Sequence, residues 1–360
     1  MDAPISPSVL TRRRLMQRLL GASVVGLGFM AACTKPMPPA GLELQANGRV
    51  ATATPTSVGL LRIGILYPEC GPADPSNQLF DALRGGGYVA GSTLSNSFYL
   101  DRRQMIYEPG RIVGIRDALV RDRADIIVTP TAAATVFARA GTSTIPIVTI
   151  SPDDLVAAGL VTSSERPGGN VTGVTTYDPL RATRELDLLA QVVPHISQIA
   201  VMWNPEELDR DAHAAEIFAA AQARGWGRDA VPVGAVDDVV DAVQRLVRRR
   251  VDVTISLGDP SVSAFLSLVG SLASVYRLPV VFERPELVRG GGLLALGPDV
   301  GRLWRRAGEY VVQIAHGARP GDLPVTHDPG VQVAVNLSTA RSLGLTIPPS
   351  VLAQATEVIQ

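Results

Sequence analysis

Residues 251–285 read VDVTISLGDPSVSAFLSLVGSLASVYRLPVVFERP. The run at 253–257 is short and apolar, and Gly258-Asp259-Pro260 stops it. Residues 261–276 form a longer, helical stretch, and a second apolar run at 280–282 ends at Glu283-Arg284-Pro285. Apolar strands without alternation are buried on both faces, as parallel strands beneath helices are.

The same grammar extends in both directions. Strands are expected at 60–66, 125–128, 147–150, 199–203, 231–233 and 293–296. Helices are expected at 78–83, 112–120, 131–140, 182–193, 211–224, 237–249 and 300–316, with Thr131 as an N-cap. The fold class is therefore α/β, with parallel sheets covered on both faces.

Composition narrows the function. The chain has 360 residues, 46% of them hydrophobic, so a full globular core is available. The 33 Lys+Arg against 34 Asp+Glu leave a net charge of −1, which gives no footprint for nucleic acid. Two cysteines exclude a disulfide scaffold. Lys35 is the only lysine, so there is no P-loop and no ATPase function. His195, His213, His316 and His327 are scattered without metal-ligand spacing, and surface or capping roles are expected for them. No nucleophile elbow is present, and Gly85-Gly86-Gly87 lacks dinucleotide-loop spacing. No catalytic residue, metal site or cofactor is expected, and the chain is read as a non-enzyme.

The first residues form an address. A basic segment ends in Thr11-Arg12-Arg13-Arg14, an apolar run covers 19–30, and Ala31-Ala32-Cys33 follows. A charged n-region, a short h-region and small residues before a cleavage point make a signal peptide. The apolar run is too short for a spanning helix. Thr11 to Met16 resembles a twin-arginine export motif, and Met30-Ala31-Ala32-Cys33 resembles a lipoprotein signal. The expected product is an exported, periplasmic or cell-surface lipoprotein anchored to the membrane through Cys33; plain secretion is the alternative. Residues 34–57 are rich in Pro, Ala, Gly and Thr and read as a flexible tether.

Several strands end in turn-forming or polar residues: at Tyr67-Pro68-Glu69, Thr129-Pro130-Thr131, Ser151-Pro152-Asp153, Asn204-Pro205, Gly258-Asp259-Pro260 and Glu283-Arg284-Pro285. Ligands of open α/β sheets sit outside the carboxyl ends of the strands, and helix N-termini there suit a carboxylate. Each turn alone is also what stops a strand in any α/β protein.

Several segments, in order, resemble one bacterial family. They are Thr144-Ile145-Pro146-Ile147-Val148, Arg166-Pro167-Gly168-Gly169-Asn170-Val171-Thr172-Gly173, Ala200-Val201-Met202-Trp203-Asn204-Pro205 and Gly290-Gly291-Gly292-Leu293. Near the end come Ala318-Arg319-Pro320-Gly321-Asp322-Leu323-Pro324-Val325 and the segment NLSTARSLGLTIPPS at 336–350. The chain is similar to the ABC-transporter substrate-binding lipoproteins related to tryptophan/tyrosine uptake proteins. That resemblance implies a type I periplasmic-binding architecture, two Rossmann-like lobes joined by a three-crossover hinge. Lobe one would comprise 58–170 plus 293–322, and lobe two 171–292 plus 323–360. The lobes would close on ligand by hinge bending. Ser151-Pro152-Asp153-Asp154 departs from the family's usual Gly-Asp-Pro, so the first-lobe wall differs.

The resemblance implies a small-molecule ligand, an amino acid or a relative, delivered to an ABC permease with its ATPase. A receptor that signals through a sensor partner is the alternative. By analogy, an α-carboxylate would meet Thr131, Ala132 and Thr175 or Thr176. An α-ammonium would meet Asp153, Asp259 or Glu283. Tyr67, Tyr177 and Phe282 would pack on an apolar side chain, and Glu69, Ser151, Asn204 and Gly258 complete the candidate shell. Competing readings stay open: N-capping for Asp153 and Asp259, pairing with Arg284 or Arg289 for Glu283, core for Phe282 and hinge for Tyr177.

Overall fold

The computed structural model describes residues 60–66, 77–90, 92, 94–98, 118, 121–203, 210–234, 238–257, 263–328 and 330–360. The signal, tether and Cys33, the expected helix at 112–120 apart from residue 118, and Tyr67, Glu69, Asn204, Gly258 and Asp259 lie outside them.

Two sheets carry the chain, one in each Rossmann-like lobe. The first holds β1 (Leu61–Ile65), β2 (Leu94–Phe98), β3 (Ile126–Thr129), β4 (Ile147–Ser151), β5 (Val171–Thr175) and β11 (Thr326–His327). Its order is β11-β5-β4-β3-β1-β2, with every pair parallel. The second holds β6 (Gln198–Trp203), β7 (Gly227–Pro232), β8 (Val253–Ser256), β9 (Val280–Phe282), β10 (Leu294–Pro298), β12 (Val331–Asn336) and β13 (Glu357–Ile359). Its order is β13-β12-β10-β9-β8-β6-β7. The pair β10–β12 is antiparallel, which departs from the all-parallel expectation. The chain enters β12 directly from β11, with no helical crossover between them to turn it parallel to β10.

Most helices stand where they were expected; those at 285–288, 337–343 and 349–352 are additional. The helices are α1 (Asn77–Gly85), α2 (Ala132–Gly141), α3 (Arg181–Val192), α4 (Arg210–Ala223), α5 (Val239–Arg248), α6 (Ser263–Tyr276), α7 (Pro285–Val288), α8 (Val300–Ala315), α9 (Leu337–Leu343) and α10 (Pro349–Leu352). Side chains alternate across a strand, so each sheet feeds two cores. Ile63, Ile65, Ile126, Val128, Val148 and Val174 face α1 and α8 through Leu79, Leu83, Trp304 and Val311. Ile127, Ile147 and Val171 face Ala138, Leu155, Leu160 and Val325 on the other side. In the second sheet, Val201, Ile255, Val281 and Leu296 pack on Leu186 and Leu189 of α3 and Ile217 of α4.

The chain passes between sheets three times: after β5, after β10 and after β11. The borders expected at 170/171, 292/293 and 322/323 each precede a strand that lies in the earlier sheet. Val171–Thr175 pairs with β4, Leu294–Pro298 with β9, and Thr326–His327 with β5. The crossovers are tied to one another. Asp328 N donates to Thr175 O at 2.8 Å, and Thr172 Oγ1 donates to Leu323 O at 2.8 Å.

The segments that carry the resemblance make specific contacts. Gly168 N donates to Gly321 O at 3.0 Å, so the R-P-G-G and A-R-P-G-D segments meet. Asn170 Nδ2 donates to Ile145 O at 2.9 Å and to Thr142 O at 3.2 Å, fixing the entry to β4. Asn336 caps α9 by accepting from Thr339 N at 2.9 Å, and Gly344 ends that helix in the left-handed region at φ 71°.

A buried hydroxyl set joins α2 to the first sheet. Thr129 and Thr135 Oγ1 lie 2.6 Å apart, and Thr135 Oγ1 lies 2.7 Å from Thr149 Oγ1. Thr135→Val strands these groups and is expected to cost about 1–3 kcal/mol, measured by urea unfolding.

Candidate functional site

The carboxyl ends of β4 and β5 bring together most of the described first-lobe candidates. Ser151 is 1% exposed. Its Oγ donates to Asp153 Oδ2 at 2.8 Å and accepts from Asp153 N at 3.1 Å. Thr175 Oγ1 donates to Asp153 O at 2.8 Å and accepts from Tyr177 N at 2.9 Å. Thr176 N donates to Ser151 O at 2.9 Å. Ser151 and Thr175 thus hold Asp153 in place, and Thr175 has no proton left for a ligand. Asp153 is not a helix cap. No helix follows it: residues 155–159 are turns, into which Asp154 reaches by accepting from Val156 N at 2.9 Å and Ala157 N at 3.2 Å.

Thr131 caps α2, accepting from Ala134 N at 3.1 Å, and Ala132 is the buried first residue of that helix. Tyr177 belongs to the first crossover, where its carbonyl oxygen meets His327 Nε2.

Of the second-lobe candidates, Phe282 and Glu283 are described. Phe282 is 1% exposed and packs in the core beneath Gly292, the role that competed with a ligand contact. Glu283 is 8% exposed. Arg284 pairs with Glu286 at 3.2 Å and Arg289 with Glu357. Glu283 instead meets Arg181 at 2.7 Å and His213 Nδ1 at 3.1 Å. Arg181 also meets Glu185 at 2.9 Å, and His213 Nε2 lies 3.5 Å from Glu185. Two carboxylates, one guanidinium and one imidazole therefore share a buried site between α3, α4 and the end of β9.

The set is neutral only with His213 protonated. Burial and the Arg181 charge push the His213 pKa down, but the flanking Glu185 and Glu283 outweigh them and raise it above its ordinary 6.5. Burial opposes ionisation of Glu185, yet Arg181 and His213 hold its carboxyl below the usual carboxylate range. Burial alone would lower the Arg181 pKa, but the two carboxylates raise it further above its ordinary value. His213 overturns the surface or capping role expected for it. The sequence carried no signal for the cluster, because Arg181 and Glu283 are 102 positions apart. No group of His, Cys, Asp and Glu among the described residues is arranged to hold a metal ion.

The chain as a whole resembles known proteins. The profile of the ABC transporter substrate binding protein family matches residues 79–359. A tyrosine-binding protein of Clostridioides difficile is 24% identical over 327 residues, covering 91% of each chain. A conserved domain protein of Vibrio cholerae superposes with a TM-score of 0.72 at 27% identity, covering 84% of this chain and 99% of that one. A Streptococcus pneumoniae domain in complex with L-Trp gives 0.70 at 24% identity, covering 84% and 100%. A ligand-free, open substrate-binding protein with adhesive properties from Clostridium difficile gives 0.61 at 25% identity, with the same coverage. The chain belongs to the family of ABC transporter substrate binding proteins.

Proposed function

We propose that this chain is the extracytoplasmic solute-binding component of an ABC importer. It captures an amino acid between its lobes, an aromatic one by analogy with the relatives, and hands it to a permease. The family match across 79–359 carries this reading. The arrangement of Ser151, Asp153 and Thr175 supports it, because it presents one held carboxylate at the strand ends, where a ligand ammonium would bind. The start of α2 at Thr131 and Ala132 suits the ligand carboxylate. Binding, without chemical conversion, is the whole of the task. Export through the N-terminal signal and lipidation of Cys33 would place the protein at the membrane beside its permease.

Uptake tests the proposal. Cells lacking the chain are expected to lose high-affinity uptake of labelled tyrosine or tryptophan, and the full-length gene to restore it. Asp153→Ala removes a charge-assisted contact, so half-maximal uptake should need roughly ten- to a hundredfold more substrate. Uptake of both amino acids unchanged by deletion contradicts the reading.

A further inference from the structure

A cavity of about 360 Å³ opens between α3 and the second sheet, a size suited to a small ligand. Leu188, Leu296 and Val333 form its buried apolar wall, and Val331 stands at its rim, 48% exposed. Thr176 and Gly330, from the first and third crossovers, and Pro298, the last residue of β10, complete it. It therefore lies beside the hinge on the α3 face, while the held Asp153 lies at the strand ends of the other lobe.

Four charged side chains reach this cavity, and two are committed. Arg181 and Glu185 belong to the buried neutral cluster. The other two are Asp178 and Arg184, which face each other at 2.7 Å. The Arg184 side chain is 61% exposed while that of Asp178 is 12% exposed, so the guanidinium is the partner that can turn toward a ligand without leaving solvent. Asp178 itself is fixed, because its other oxygen accepts from Leu180 N at 3.0 Å.

The chemistry of an occupant follows. A plain carboxylate would meet Arg184 but be repelled by Asp178, and a plain amine would suffer the reverse. A peptide separates its terminal charges too widely for one ion pair. A molecule with ammonium and carboxylate on the same carbon satisfies both partners, and an apolar side chain then lies on Leu188, Leu296 and Val333. We propose that this cavity is a second ligand site for α-amino acids with apolar side chains. An occupant touches two crossovers, the end of β10 and α3 at once, so it biases the opening of the lobes. The inference does not depend on the importer reading.

Methyl NMR of the full chain, labelled at leucine and valine, tests it with L-norleucine as the probe. Saturable shifts at the methyls of Leu188, Val331 and Val333 are expected. Hexanoate and pentylamine, which each lack one charge, should bind at least roughly tenfold more weakly at these methyls. Arg184→Ala should weaken norleucine similarly, while Asp153→Ala should leave these shifts unchanged. Absence of saturable shifts, equal binding of hexanoate, or indifference to Arg184→Ala overturns the proposal. So does loss of the shifts in Asp153→Ala, since they would then report on the strand ends. Failure of tyrosine or tryptophan uptake in cells, by contrast, would leave this site untouched.

Discussion

Gly173→Ala is expected to break the pairing of β4 with β5 and to cost at least about 4 kcal/mol. A Cβ at this position would sit 2.0 Å from Thr149 O and 2.6 Å from Thr149 N. Both are backbone atoms of the neighbouring strand, paired in register with Gly173, so neither can swing aside. The residue also holds φ 150°, a conformation that L side chains rarely adopt. β5 lies within the sheet between β4 and β11 and leads into the first crossover. Separating it from β4 would also release Asp153 from Thr175. Equilibrium urea unfolding followed by circular dichroism measures the loss. A change within about 1 kcal/mol would show that the two strands do not approach as described.

The second large effect lies in the buried charge cluster. Removing one partner from a buried ionic set leaves an uncompensated charge, at a cost of about 3–5 kcal/mol. Arg181→Met should show this loss, because two carboxylates then face a single imidazolium. Adding Glu283→Gln restores neutrality, so the double variant should be more stable than Arg181→Met alone. The pH dependence follows from the directions of the shifts. His213 titrates higher in the folded chain than in the unfolded one. Its stabilising contribution is fully present below 6.5 and is lost as pH rises through the raised folded value. Glu185 is the opposite case. Its contribution is present above 4.5 and is lost as pH falls through the lowered folded value. Stability should therefore be highest between these limits. His213→Gln should be destabilised there and should lose most of the alkaline decline. An alkaline limb identical in both proteins would mean that His213 is uncharged in the folded state.

The sequence announced those parts of the fold whose signals are local. β3, β4, β6, β8 and β9 are runs of apolar residues, and their helices lie between breakers such as Pro194 and Asn204-Pro205. β5 escaped strand assignment because VTGVT is weakly apolar. It is buried throughout because β4 and β11 flank it and helices cover it. β12, VQVAVN, is antiparallel and starts in an exposed segment, so it lacks the continuous apolar run used to find the others. The site divides in the same way. Ser151 and Asp153 were legible as polar residues at a strand end, Thr175 entered only through the family resemblance, and the structure joins the three. The roles of Phe282 and Glu283 were not, since both are set by residues far along the chain. Glu283 meets α3 and α4 only once both helices have packed on the second sheet.

Thermal denaturation of the full chain against a panel of amino acids, nucleosides and small organic acids tests the central claim most directly. A ligand at about 100 times its Kd adds roughly 2.7 kcal/mol to the folded state, a shift of several degrees. The account predicts such a shift confined to a few amino acids, the aromatic ones foremost, and its marked reduction in Asp153→Ala. No stabilisation by any amino acid would contradict it.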